Sequence, residues 1–296
     1  MTETQPTSDH SRLDPRYVIA RRVLLDALFA LAPHRKAFIV AGAQAVYLQT
    51  GLNEIAIAPY TTDGDLALDP TLLGDDPELE ATMRQAGFEL WEQAGGRVQP
   101  GIWIKTEEIN GQRIVVPIDL IVPSAALIDA RGRRGARLGS HGKSAARRAV
   151  GLEAVLIDHE PMVIAALDPA DARSISAEVA GVAALLVAKA HKIHDRVATE
   201  RRDRLSDKDA SDVFRIMQTT SPEVAGATLG GLLTHAVAGE PVDTALRYFS
   251  DLFGRRAGEG VAMAQRALRL AVPDDQIAPI CISFTERLLV AARTGT

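Results

Sequence analysis

The stretch TTDGDLALD, from Thr61 to Asp69, sets two carboxylates one residue apart and then turns apolar. In a β-strand, side chains at i and i+2 share a face, roughly 6.5–7 Å apart along the chain. Asp63 and Asp65 would then stand side by side, with Gly64 between them facing away. Two anions held that close repel each other unless positive charge sits between them. A metal ion, a basic side chain or bulk solvent could supply it.

A third acid has a comparable setting. In RIVVPIDLIVP, Asp119 is the one acidic residue inside a run of β-branched and aliphatic residues. A charge buried in a strand costs several kcal/mol unless it is paired or metal-bound. Three acids on two strands of one sheet are the minimum for two divalent cations about 3.5–4 Å apart, a pair suited to triphosphate oxygens. Hard oxygen ligands favour Mg²⁺ or Mn²⁺. Ahead of the acids lies VAGAQAV, a small-residue turn that opens a helix at Gly42 and Ala43. Such a turn offers backbone N–H groups and the positive end of the helix dipole to a phosphate. Alone, the Asp pair reads as a solvated loop and the turn as a common packing device. Their order gives them weight.

The elements that must position these residues follow from pattern. Residues 1–13 read as a disordered tail. Asp14–Leu31 reads as an amphipathic helix, Ala37–Val40 as a strand, and the helix after the turn ends near Gly51. Asp76 is placed to cap a helix with Pro77 just inside it. Phe88–Gln93, Gly101–Glu107 and Arg113–Val122 read as strands, the last two joined at Asn110-Gly111, a hairpin signal. Ala154–Leu167 reads as a hairpin around Asp158–Pro161. From about Ser176 the periodicity is helical, with breaks at Ser206-Asp207, Ser221-Pro222, Gly254 and Pro273-Asp274. The expected class is α+β: a small mixed-sheet domain over residues 14–170, then a helical domain over 171–296.

Two of those helices carry charge on packing faces. In VAKAHKIHDR, Lys189 lies on a stripe with Leu186 and Ile193; in DKDASDVFRI, Asp209 sits four before Val213. A buried structural Lys–Asp pair and a functional pair both fit that pattern. His191 falls on the opposite face of its helix and is expected to be solvated. The segment 131–148, RGRRGARLGSHGKSAARR, holds seven Arg or Lys, one His and no acid. Its glycines and serines suggest a flexible loop, and its charge a polyanion contact through Arg131, Arg133, Arg134, Arg137, Lys143, Arg147 and Arg148. A solvated loop or a protein-binding surface would look the same.

The bulk numbers set limits. The 296 residues are 47% hydrophobic and 24% charged, with a net charge of −5, so a wholesale basic surface is excluded while a local basic patch is not. The single cysteine, Cys281, precludes an internal disulfide or a cysteine zinc site and reads as a core residue. No apolar run is long enough for a membrane span, and the polar N-terminus lacks a signal-peptide pattern, so a cytoplasmic protein is expected.

Small-residue turn, helix, Asp-x-Asp strand and a lone Asp on a later strand: this order resembles the polymerase-β-like nucleotidyltransferase superfamily. The two helical segments narrow the resemblance to AbiEii-type and MenT-like toxins of toxin–antitoxin pairs. It implies that Asp63, Asp65 and Asp119 bind metal, and that Asp119 takes the proton from the nucleophile. Gly42, Ala43 and Lys189 would hold an NTP, and Asp209 would lie near the attacking group or the nucleotide. It implies an RNA acceptor, a tRNA 3′ end in some members, and a cognate antitoxin. Two positions depart from the pattern: Ala43 where a Ser is common, and Pro59 where an Arg is. The rival readings are a small-molecule nucleotidyltransferase of the aminoglycoside-modifying kind and a binding module without chemistry.

Overall fold

The computed structural model describes residues 13–51, 61–127, 134–199 and 207–294. The expected tail falls almost wholly outside them, as do Pro59, Arg131 and Arg133. The first helix, α1 (Pro15–Ala30), starts where Pro is tolerated, and the Asp14 carboxylate caps it by accepting the Arg16 N–H at 2.8 Å. Strand β1 (Phe38–Ala41) runs straight into α2 (Gly42–Thr50), which stops at Gly51 with φ of 72°. Then come β2 (Gly64–Leu68), α3 (Leu79–Gln85), β3 (Glu89–Gln93), β4 (Arg97–Ile109) and β5 (Gln112–Pro123). Asn110 and Gly111 join β4 to β5 with φ of 50° and 78°, both positive as a tight hairpin turn requires. Strands β6 (Arg147–Ala149), β7 (His159–Ala165) and β8 (Ser174–Ala180) complete one mixed sheet, ordered β3-β4-β5-β2-β1-β8-β7, with β6 added on β5.

Among the described residues six helices follow: α4 (Val182–Ala198), α5 (Asp207–Thr219), α6 (Pro222–Leu232), α7 (Gly239–Phe253), α8 (Glu259–Leu268) and α9 (Asp274–Thr294). The α+β class is therefore as expected, a mixed sheet succeeded by helices. Their starts at Asp207, Pro222 and Asp274, and the stop of α7 at Gly254, match the breaks read from sequence. Among the described residues no helix is long and apolar enough to cross a membrane. Cys281 is fully buried in α9, and burial pushes its thiol up to about 12.

Four local expectations need correction. The sheet does not end near residue 170: β8 pairs in parallel with β1 and antiparallel with β7, so the strands run on to Ala180. The hairpin expected within 154–167 is instead β7 with β8, because Glu153–Leu156 forms a short 3-10 turn that uses up the first half of that run. Helix α3 starts two residues later than expected, leaving Pro77 outside it and Asp76 without a capping role. His191 is half-buried rather than solvated; its ring packs on Tyr248 with centroids 5.3 Å apart, and Nε2 meets the Pro241 carbonyl at 2.8 Å.

The described part of the basic segment, 134–148, is the largest departure, for it is stapled to the sheet. The Trp103 indole, fully buried, donates to the Ala145 carbonyl at 2.9 Å, and Gly101 N–H donates to the Ser144 carbonyl at 2.8 Å. Ser144 N–H is taken by Glu80 Oε1, and Ala136 N–H by the Ala146 carbonyl, each at 2.9 Å. A run of glycines and charges still orders when the neighbouring sheet supplies partners for its backbone.

Candidate active site

The acids converge through strand register. Asp65 stands opposite Asp119 in the parallel β2–β5 ladder and opposite Ala41 in the antiparallel β1–β2 ladder. Directly paired residues share a face, so the two carboxylates are immediate neighbours. Asp63 lies just ahead of β2, on the same approach. Gly64 faces the other way, where an added Cβ would meet Ile118 at 2.8 Å and Leu24 of α1 at 3.3 Å. A side chain there would have to push the Ile118 methyl aside, so the packing behind the acids favours glycine between them. Asp69 closes the stretch by accepting the Thr71 N–H at 2.8 Å, which turns the chain out of β2.

Gly42 is fixed by the same acids. Its φ is +64°, and a Cβ there would lie 1.9 Å from Asp65 Oδ2. Helix α2 begins here with no side-chain cap, and Gly42 packs directly on the Asp65 carboxylate. Ala43 follows, 5% exposed. Gly42→Ala is expected to cost roughly 1–3 kcal/mol from backbone strain and contact. By displacing Asp65 it should also cost roughly 100-fold in activity; a denaturant melt set beside an activity assay checks both.

Electrostatics separate the three acids. Burial pushes the Asp65 carboxyl up to about 6, and the anions of Asp63 and Asp119 add to it against Lys192 and Arg147. Burial also opposes ionisation of Asp63, but Lys208, a hydrogen bond from the Thr61 hydroxyl, and Lys192 outweigh it and hold that carboxyl below its usual range. Asp119 receives Arg147 Nη2 at 2.7 Å and Nε at 3.1 Å, both on Oδ2. Asp63 is braced from behind: Gln44, 1% exposed, donates to its backbone carbonyl at 3.3 Å, and buried Arg21 donates to Gln44 Oε1 at 2.8 Å.

As they stand, no three acidic, histidine or cysteine side chains among the described residues converge on a ready metal position. The donor set nonetheless suits a divalent cation. Its oxygens are hard, and no hydrogen bond reaches the Asp65 carboxylate among the described residues, leaving negative charge to be balanced.

On the helical side, Lys189 and Asp209 do meet. Lys189 Nζ lies 2.7 Å from Asp209 Oδ1 and 2.6 Å from Asp212 Oδ2, with all three residues at most 4% exposed. Asp209 also receives Arg196 at 2.7 Å and Lys192 at 3.0 Å. Burial works against charge on both partners; the two aspartates nonetheless push Lys189 well above the lysine range, and Lys189 and Lys192 hold Asp209 far below the carboxylate range. An ammonium committed to two carboxylates locks α4 to α5. A direct triphosphate contact would first have to break one of those pairs. Helix α4 is seated by a carboxylate from outside it, since Asp158 Oδ2 accepts the Ala184 N–H at 2.7 Å. The lysines turned toward the acids are Lys192 and Lys208, and burial lowers the pKa of Lys208.

Sequence reasoning missed Asp212, Lys192, Lys208 and Gln44. For Asp212 a signal existed: it is three residues after Asp209, hence on the same helix face. Of the basic segment, Arg134, Arg137 and Lys143 are exposed and Arg148 is half-buried. Arg134 Nη1 donates to Gln99 at 2.9 Å. Arg147 departs from the expected polyanion surface because β6 aims it at Asp119.

No protein-family model matches this chain, and no curated protein matches it. A crystal structure described as that of a "putative nucleotidyltransferase from H. pylori" is similar, with 9% identity and a TM-score of 0.40, covering 95% of this chain and 98% of that one. A likeness at that level bears on neither activity nor fold assignment.

Proposed function

We propose that the protein is a nucleotidyltransferase toxin that moves a nucleotide from an NTP to an RNA hydroxyl, a tRNA 3′ end being the favoured acceptor. The observation that carries this is the register of Asp65 on Asp119, with Gly42 at the α2 N-terminus packed on the Asp65 carboxylate. Asp63, Asp65 and Asp119 would hold Mg²⁺ or Mn²⁺, which when bound supplies positive charge to the triphosphate and its leaving pyrophosphate. Backbone N–H groups at Gly42 and Ala43 would donate to the phosphates; no side chain caps the helix start there. Lys192 and Lys208 bring cations from the helices, and Lys189 with Asp209 and Asp212 sets where those helices lie. By the family resemblance, Asp119 would take the proton of the attacking hydroxyl. The exposed Arg134, Arg137 and Lys143 offer an RNA backbone its counter-charges. A cognate antitoxin is part of this reading through the resemblance alone.

Incubation with total RNA, Mg²⁺ and each α-labelled NTP in turn tests it. Label is expected in tRNA-sized RNA with the wild-type chain and not with Asp63→Ala, which should also relieve any growth inhibition on expression. Label that survives Asp63→Ala sinks the catalytic assignment. No label in RNA with any NTP favours a small-molecule acceptor.

A further inference from the structure

Within the basic segment, the fold turns Arg147 inward onto Asp119. Strand β6 sets Arg147 opposite Ile121, and Asp119 lies two residues earlier on the same face of β5. Strand β4 leaves room for this: its last contact with β5 is at Ile102, and at Gly101 a Cβ would lie 2.3 Å from the Arg147 amide nitrogen. The backbone at Arg147 is thus held, and only the side chain can adjust.

Its pairing is incomplete for a structural ion pair. Both bonds, from Nε at 3.1 Å and Nη2 at 2.7 Å, fall on Asp119 Oδ2 alone. A guanidinium and a carboxylate at full strength bond in parallel, two donors to two oxygens. Among the described residues Nη1 has no hydrogen-bond partner and Asp119 Oδ1 accepts none. The side chains keep 23% and 20% of their surface exposed, so a ligand can reach them. Lys192 and Lys208 act on the acids from the helices, whereas Arg147 comes from β6 of the sheet. A polyanion between them would be gripped from two sides.

We propose that Arg147 is a substrate-binding residue that donates to a phosphate oxygen of the nucleoside triphosphate, with Asp119 orienting its guanidinium. The inference rests on the nucleotidyltransferase reading and adds a residue to it. Planar donors in a fixed fork match phosphate as an ammonium does not.

The test is binding of fluorescent NTP analogues to the full chain with Mg²⁺ and no RNA, comparing wild type, Arg147→Gln and Arg147→Lys. Arg147→Gln is expected to weaken nucleotide binding roughly 10- to 100-fold, the loss of one charge-assisted contact. It should leave the affinity for RNA alone unchanged. Arg147→Lys should recover part of the loss, because the charge stays and the fork goes. Unchanged nucleotide affinity in Arg147→Gln overturns the inference, as does a loss of RNA affinity with nucleotide binding intact. Should Arg147→Gln fail to fold by circular dichroism, Arg147→Lys decides: binding equal to wild type overturns the proposal, weaker binding upholds it. A wild-type chain that binds no NTP is a separate result, one that removes the nucleotidyltransferase reading itself.

Discussion

Replacing Asp65 by Asn is expected to lower nucleotidyl transfer on the order of 10³-fold or more while making the metal-free protein more stable. On the proposed function, the activity loss follows from removing the charge that pairs in register with Asp119. The gain in stability follows from the same charge. Burial first, then the anions of Asp63 and Asp119, push the Asp65 carboxyl up to about 6. Its unfolded value is near 3.9. Between those two values the folded chain holds the proton that the unfolded chain has lost, so stability falls as pH rises through that window and stays low above it. At neutral pH the Asn variant should gain on the order of 1–3 kcal/mol, a difference that vanishes below about pH 4. Denaturant melts in the presence of a chelator at both ends of that range measure it. A variant that is inactive and also less stable at neutral pH would place Asp65 in the scaffold instead.

Lys189→Met is the converse case, with the largest expected effect on stability. The ammonium bridges Asp209 and Asp212, and its removal leaves two buried carboxylates facing each other. Breaking a buried pair by deleting one partner costs about 3–5 kcal/mol. Asp209 keeps Arg196 and Lys192, so the uncompensated charge falls on Asp212, which is 1% exposed. Adding Asp212→Asn to Lys189→Met should therefore recover a large part of the loss, and the double-mutant cycle reads the coupling directly. The signs set the pH window. Lys189, raised, contributes below the ordinary lysine value, and its contribution is lost only as pH climbs past the folded value, above the lysine range. Asp209, depressed, contributes above the ordinary aspartate value and is lost only as pH drops through a folded value below the carboxylate range. The penalty should be the same across neutral pH. A penalty that changes steeply there would contradict the pairing.

Much of this site was legible because its signals are local. Asp63, Gly64 and Asp65 announce a strand edge by alternation, Asp119 stands out as an acid within an apolar run, and Gly42 follows a strand at a helix start. Lys189 and Asp209 were visible by helical periodicity. What spacing could not convey was pairing across the chain. Arg147 looked like its six basic neighbours; only the β5–β6 register turns it toward Asp119. Gln44 reads as a polar residue at a helix start until Arg21, from α1, is seen to orient it. The boundary near residue 170 slipped for a similar reason. Strand β8, SISAEVA, alternates weakly, and it is a strand because β1 and β7 offer it partners on both sides.

Strand β8 also makes the molecule less modular than its α+β description suggests. It pairs with β1, the strand that launches the Gly42 turn, and feeds through Gly181 straight into α4. The helical half is thus indexed to the sheet like a gear meshed at one tooth. Each residue of an α-helix turns about 100°, so one residue gained or lost between β8 and α4 would rotate Lys189 and Lys192 out of alignment together. The length of that junction is as much a determinant of the charge balance around Asp63 and Asp65 as any side chain within it.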